Sequence, residues 1–490
     1  VTENRKKISA TSFLLMAFTA VFAFNNIINA TASIGLSAVL TFLFATIFYF
    51  IPFALMIGEF SSANAESESG VYSWIRTSLG EKWAFLGSWS YFFVNLFYFT
   101  ALLPQILIYA SYTFTGKNIF GSGATIAISI LSIFLFWLAT FVSIKGVSWI
   151  SKVTDVSGVA RILMGVGFIV FALAVVFILG EPSAQEFTSE SVMPSMNWNY
   201  FATLAWILQA VGGAEAIGVY VKDIKGGNKT FIRTIIIAAF SIGIMYALGS
   251  VAVGLIMPAE ALQDNYSDAL FEAFAILGSY FGIGDGITRF VGLIMLLSAV
   301  GSLVIWTAAP VKILFSEIPE GIFGKWVAKT NHEGNPTNAL TLQAVVVTIL
   351  LIIPALGIGS VNSLLKTLIN MTAATSLIPV LFLLIAYIMF RVKKDDLPRT
   401  FKVGKRSTGI VMGVMLLVFF LFAFFVSTFP SPAALMDYFA TGVVAEGSMN
   451  PLFSLTYNVV GIVIFIGFAF ICYKRYERKE KIKGEENGHN

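Results

Sequence analysis

Three asparagines, Asn25, Asn26 and Asn29, interrupt the apolar run Phe22-Ala23-Phe24-Asn25-Asn26-Ile27-Ile28-Asn29-Ala30-Thr31. Asparagine forms helix poorly and competes for backbone hydrogen bonds. A second apolar run reads Gln209-Ala210-Val211-Gly212-Gly213-Ala214-Glu215, a glycine pair followed by a carboxylate. Both runs are expected to unwind, near 25–31 and near 209–214. Irregular backbone at membrane depth is tolerated only where it lines a protein-enclosed cavity, so the chemistry on offer is binding. Paired interrupted helices in two halves of a chain point to a transporter site. The blander alternative is that the asparagines are interhelical glue and Gly212-Gly213 a packing notch. Catalytic side chains are scarce. The two histidines, His332 and His489, lie in polar surroundings, and Cys472 is the single cysteine. No disulfide, metal site or cofactor is expected. The scarcity counts against a membrane metalloprotease, a haem protein and a histidine-dependent acyltransferase.

The elements that must position these residues are membrane helices. Of 490 residues, 57 % are hydrophobic and only 12 % charged, against about 25 % charged in soluble domains; the mean hydropathy is +0.83. Disordered, disulfide-rich and nucleic-acid-binding classes are excluded. The apolar runs are long and continuous, as helices require and alternating barrel strands do not. Twelve spans are expected: 10–34, 37–60, 83–112, 122–144, 153–179, 197–219, 231–257, 286–315, 338–356, 362–391, 407–429 and 452–473. The first follows Arg5, Lys6 and Lys7 but has no small-residue cleavage site, so it reads as a retained helix rather than a signal peptide. The polar stretch 61–81 reads as an interfacial connector, and the charged tail 474–490 as a short disordered one. Twenty-eight of the 31 Lys and Arg residues fall on one side of this arrangement, with Lys117, Arg289 and Lys366 as the exceptions. The positive-inside rule then puts both termini in the cytoplasm. No soluble domain is expected, which favours transport over an enzyme or a receptor. The chain reads as one domain: a first repeat over 10–180, a second over 197–391, helices 11 and 12 over 407–473, and the tail.

The chain resembles the amino acid–polyamine–organocation superfamily over nearly its full length, and within it the glutamate/γ-aminobutyrate antiporter-like branch of bacterial permeases. Gly213-Ala214-Glu215 is similar to the family's G-[VIA]-E in span 6. Glu66-Ser67-Glu68-Ser69-Gly70-Val71-Tyr72-Ser73-Trp74 resembles its E-x-G-G-[VI]-[YF]-x-W connector, with Ser69 in place of the first glycine. Gly301-Ser302-Leu303-Val304-Ile305-Trp306-Thr307 resembles the Trp-bearing part of span 8, and Ser376-Leu377-Ile378-Pro379 the T-L-I-P of span 10. The chain departs from the pattern in span 1, where Asn-Asn-Ile-Ile-Asn-Ala replaces a G-S-G triplet, and in a tail too short for the long plug of acid-resistance antiporters.

The resemblance implies the leucine-transporter fold, an all-α membrane protein with a 5+5 inverted repeat and broken helices 1 and 6. It implies substrate between those breaks, with walls from helices 3, 8 and 10, and a bacterial plasma-membrane location. Half-helix N-terminal N–H groups, from about Ile28 through Asn29 and Ala30 to Thr31, would take an amino-acid carboxylate. Carbonyls from Gln209 and Ala210 to Gly212 would take the ammonium. Trp306 would close over the substrate, or else simply pack in the bundle. Asn95, Asn370, Thr372 and Thr375 are either substrate ligands or helix–helix glue. Glu215 is a gating or proton-sensing carboxylate, or a hydrogen-bonded structural acid. Glu59 reads as a solvated or paired helix-end residue. Arg161 stands in helix 5 where many relatives carry lysine, some 13 Å beyond Lys152 at ~1.5 Å per residue. In sodium-independent relatives such a basic residue takes the place of the sodium ion between helices 1 and 8; the alternative is snorkelling to the interface. The leading reading is a sodium-independent amino-acid exchanger with lipid and substrate as its partners, monomeric or homodimeric. Rivals are a polyamine or organic-cation transporter of the same fold, which would want more acid in the pocket, a proton-coupled symporter, and a channel, which would want pore-lining rings.

Overall fold

The computed structural model describes residues 7–487, apart from 65–66, 68–69, 121–123, 264–267, 284–285, 316–317, 320, 324–325, 328, 333–334, 358–360 and 444–449. It gives no side-chain placement for 147–148, 260, 263, 353–374, 453–454, 457–458, 461, 464–465 and 483–487. Among the described residues the chain is helical throughout, the one β-bridge joining Ile8 to Ile224. The helices are α1 (Ala10–Val21), α2 (Phe24–Ile34), α3 (Ser37–Ala45), α4 (Ile51–Ala63), α5 (Val71–Leu79), α6 (Glu81–Thr115) and α7 (Thr125–Ile144). There follow α8 (Val147–Phe177), α9 (Ser189–Val192), α10 (Trp198–Ala210), α11 (Ala214–Gly218), α12 (Gly227–Ile256), α13 (Ala259–Gln263) and α14 (Ala269–Tyr280). The last six are α15 (Gly286–Phe315), α16 (Thr337–Gly357), α17 (Val361–Lys393), α18 (Arg406–Thr428), α19 (Pro432–Thr441) and α20 (Pro451–Asn487). Ten helical stretches among the described residues are long and apolar enough to cross a membrane, with shorter apolar helices at Thr337–Ile352 and Ala269–Tyr280.

Two features position the site. The first is a long scaffold: α6, with 35 residues, packs along α15 and α17, and α15 in turn along α8. The second is a pair of interrupted helices. The first break falls at Phe22 and Ala23, both extended, and not at 25–31, which is helical within α2. The reason is tertiary. The Tyr246 hydroxyl donates to the Val21 carbonyl at 2.8 Å and accepts the Ala23 N–H at 3.0 Å. One side chain from α12 thus satisfies the backbone groups that the break leaves open. The second break covers Val211–Gly213, between α10 and α11, with Gly213 at φ +124°, a conformation L side chains rarely adopt. Gln209 and Ala210 remain helical, in the last turn of α10.

Two connecting segments differ from expectation. Within the expected connector, residues 71–79 form a largely buried helix: Trp74 stacks on Phe60 with ring centroids 5.9 Å apart, and Tyr72 donates to Glu81. Those partners lie beyond the reach of local hydropathy. The stretch after 473 is also not an irregular tail, because α20 continues unbroken from its apolar part through the charged residues to Asn487. At the end of the chain where Lys and Arg concentrate, Ile8 pairs with the segment after α11: its N–H reaches the Asp223 carbonyl at 2.6 Å, and its carbonyl accepts from Lys225 at 2.9 Å. Lys312, in the last turn of α15, forms an ion pair with Asp223 at 3.2 Å.

Candidate functional site

A cavity of about 230 Å³ lies where the two breaks face each other, room for several waters at about 30 Å³ each. Its walls come from α1, α2, α6, α8, α10, α11, α15, α17 and α18. The first turn of α2 opens onto it. Ala23 caps that turn without a side-chain hydrogen bond, so the N–H groups of Phe24 and Asn25 are the helix's unsatisfied donors, at its positive end. Asn25 donates to Tyr109, and Asn26 to Tyr246 at 3.1 Å. These asparagines therefore dress the rim of a helix start rather than unwind the chain. Facing them are the last turns of α1 and α10, whose Ala20, Val21 and Ala210 carbonyls point to the break.

Trp306 of α15 reaches the last turn of α1, just before the first break, its indole N–H donating to the Ala20 carbonyl at 3.3 Å. Tyr98 and Tyr91 pack on its ring, with centroids 5.8 and 6.4 Å away. At the second break Glu215 is buried; its carboxylate accepts the Gly213 N–H at 3.2 Å and the Tyr91 hydroxyl at 3.4 Å. Arg161 of α8 is 5 % exposed. It donates to the Ser298 carbonyl at 3.0 Å and to the Ser302 hydroxyl, while Ser302 donates to the Thr19 carbonyl at 3.0 Å. Arg161 thus ties α8 directly to α15 and reaches α1 through Ser302. Its Nε has no hydrogen-bond partner, and it forms no ion pair among the described residues.

Of the residues singled out from sequence, Asn25, Asn26, Asn29, Asn95, Arg161, Gln209, Ala210, Gly212, Gly213, Glu215 and Trp306 line the cavity. Ile28, Ala30 and Thr31 do not. Because α2 begins at Phe24, they lie one to two turns into the helix and are buried in its packing, Thr31 bonding back to the Ile27 carbonyl at 2.9 Å. Asn95 lines the wall but donates to the Tyr91 carbonyl of its own helix at 2.8 Å. Asn370 and Thr372 lie outside the residues whose side chains are described. The sequence reading missed Tyr91, Tyr98, Gln105 and Tyr109 of α6, Tyr246 of α12, and Ser298 and Ser302 of α15. The α6 set had a signal: positions 91, 95, 98, 102, 105 and 109 recur every three or four residues, so the polar ones form one helical stripe. Among the described residues no group of three His, Cys, Asp or Glu side chains could hold a metal.

Glu59 is paired but in no sense solvated. It is fully buried, 2.6 Å from Arg391 and 2.7 Å from Arg399, and it accepts from Tyr387 at 2.7 Å and from the Val403 N–H at 3.1 Å. The cluster lies away from the cavity and anchors α4 to the end of α17.

Comparison with known proteins agrees with this architecture. The family model described as amino acid permease matches residues 8–445. An aspartate/glutamate permease of Lactococcus lactis subsp. cremoris is 28 % identical over 97 % of this chain and 97 % of its own. An inner membrane transporter of Escherichia coli is 26 % identical over 96 % of each chain. A glutamate/gamma-aminobutyrate antiporter of Lactococcus lactis subsp. cremoris is 24 % identical over 99 % of this chain and 94 % of its own. A helical chain with multiple apolar spans, and a match covering most of its length, together make this a multi-pass membrane protein of the amino acid permease family, within the amino acid–polyamine–organocation superfamily.

Proposed function

We propose that this permease is a sodium-independent exchanger of amino acids, working by alternating access. It would have twelve spans in a 5+5 inverted repeat, with both termini in the cytoplasm. The substrate carboxylate sits at the first turn of α2, where unsatisfied N–H groups and the helix dipole favour an anion. The ammonium sits against the carbonyls of the last turns of α1 and α10. Trp306 covers the substrate from α15. The relatives named for aspartate, glutamate and γ-aminobutyrate make acidic amino acids the first substrates to try.

The observation that carries the reading is the position of Arg161. A sodium ion between helices 1 and 8 would be held by carbonyls and hydroxyls. The Arg161 guanidinium donates to such a set, the Ser298 carbonyl and the Ser302 hydroxyl, with Thr19 beyond. Its charge fills the role of the ion, and an arginine does not release its proton. Any proton coupling would therefore run through Glu215 or another acid. Exchange in proteoliposomes should proceed equally in sodium and in choline buffers; a strict sodium requirement would refute the substitution. Arg161→Ala should abolish exchange, whereas wild-type rates in that variant would favour a snorkelling side chain.

A further inference from the structure

Away from the cavity, α6 and α20 meet at the level where the apolar part of α20 gives way to its charged end. Two lysines converge there on one aromatic ring. The Lys82 ammonium lies 4.7 Å from the centre of the Phe470 ring and 5.6 Å from that of Trp83. The Lys474 ammonium lies 5.6 Å from the same Phe470 ring. The two cations therefore sit within roughly a Debye length of each other. Neither makes an ion pair with a carboxylate among the described residues. Of the nearest acids in sequence, Glu81 beside Lys82 is engaged by Tyr72, and Glu477, three residues beyond Lys474 on α20, forms no ion pair with either lysine among the described residues. Phe470 is 39 % exposed and Trp83 45 % exposed on the outer face of the bundle, where acyl chains are the natural neighbours.

Like charges held together cost energy unless an anion lies between them, and ring faces alone offset only part of that. We propose that Lys82 and Lys474, with Trp83 and Phe470 beneath them, bind the phosphate of an anionic phospholipid. One charge comes from each helix, so the lipid bridges α20 to the scaffold helix α6. The aromatic rings take the glycerol and upper acyl region, as tryptophan does at membrane interfaces. A zwitterionic lipid carries its own cation and gains little from the pair.

The test uses the full-length purified permease in detergent, titrated with phosphatidylglycerol, phosphatidylcholine or free glycerol 3-phosphate. Retained adducts are read by native mass spectrometry, and the thermal midpoint is recorded in parallel. Phosphatidylglycerol alone should be retained and should raise the midpoint. Each lysine removed should weaken its retention by about fivefold, and Lys82→Gln/Lys474→Gln together should remove both the preference and the midpoint shift. Lys82→Arg/Lys474→Arg should keep them, which guards against a folding defect in the Gln pair. Lys393→Gln/Lys394→Gln, a pair of basic neighbours elsewhere, should leave retention unchanged. Equal retention of phosphatidylcholine, or undiminished phosphatidylglycerol retention in the Gln pair, would overturn the proposal. Binding of glycerol 3-phosphate as strong as that of the lipid would also overturn it, in favour of a free-phosphate site.

Discussion

Trp306 is held beside the break of the first helix by one hydrogen bond to Ala20 and by packing against Tyr91 and Tyr98. Truncating it removes a ring that lines the cavity and is proposed to cover the substrate. Trp306→Ala should lower exchange about 10- to 100-fold, with a smaller effect on thermal stability; unchanged uptake would remove Trp306 from the gate. Gly213 is constrained differently. Its φ of +124° disfavours any L side chain, and an added Cβ would meet the Val21 side chain at 3.2 Å. Gly213→Ala should cost on the order of 1–3 kcal/mol and displace the N–H that Glu215 accepts. A lowered thermal midpoint with impaired exchange is the expected result, and wild-type values for both would show that the break tolerates an ordinary residue.

Among the elements, the end of α17 and the segment after it are fastened to α4 by charge as well as by the packing of Phe60 on Tyr387 and Phe390. Glu59 has two guanidinium neighbours, Arg391 and Arg399, and all three groups are at most 2 % exposed. Removing the Glu59 anion leaves two buried guanidinium groups with Asp395 as their one remaining carboxylate among the described residues, 3.4 Å from Arg391 and 2.8 Å from Arg399. Glu59→Gln should therefore destabilise the protein by about 3–5 kcal/mol, read as a fall in thermal midpoint; a shift within error would mean that water compensates the arginines. Asp395 flanks the cluster. Partial burial pushes its carboxyl up, but hydrogen bonds from Lys402 and Arg399 outweigh that and hold it below the usual carboxylate range. A depressed acid contributes stability above its unfolded value, near pH 4, and loses it as the pH falls through the folded value. The Asp395 contacts should thus survive mild acidification. A stability difference between wild type and Asp395→Asn that is already gone at pH 5 would contradict this.

At the scale of the whole molecule, the distribution of basic residues argues for the proposed orientation, which can be checked without the cavity. In a Cys472→Ser background, a cysteine at position 188 should react with an impermeant maleimide from outside intact cells, and one at 398 only after permeabilisation. The reverse pattern would invert the bundle and with it the proposed direction of access. Position 188 caps α9 beside α3, and 398 lies in the loop that carries Arg399 into the Glu59 cluster. The two labels therefore report opposite ends of the bundle in the proposed topology.

The sequence alone determined the class of molecule. An 18- to 25-residue apolar run that must satisfy its own backbone hydrogen bonds in lipid has little choice but helix, and that constraint is local enough to read from composition. It also marked the neighbourhoods of both interruptions, because Gly212-Gly213 and the asparagine cluster violate the local rule. Only the tertiary structure decided where the first helix parts. The open groups of Val21 and Ala23 are closed by the Tyr246 hydroxyl, more than 220 residues away along the chain. No local propensity carries that information. The same holds for Arg161, which the sequence singles out but whose partners, Ser298 and Ser302, lie on another helix. It holds too for Trp74, whose burial against Phe60 local hydropathy does not show. Segments are specified by the solvent they meet, whereas sites are specified by the side chains that distant helices bring together.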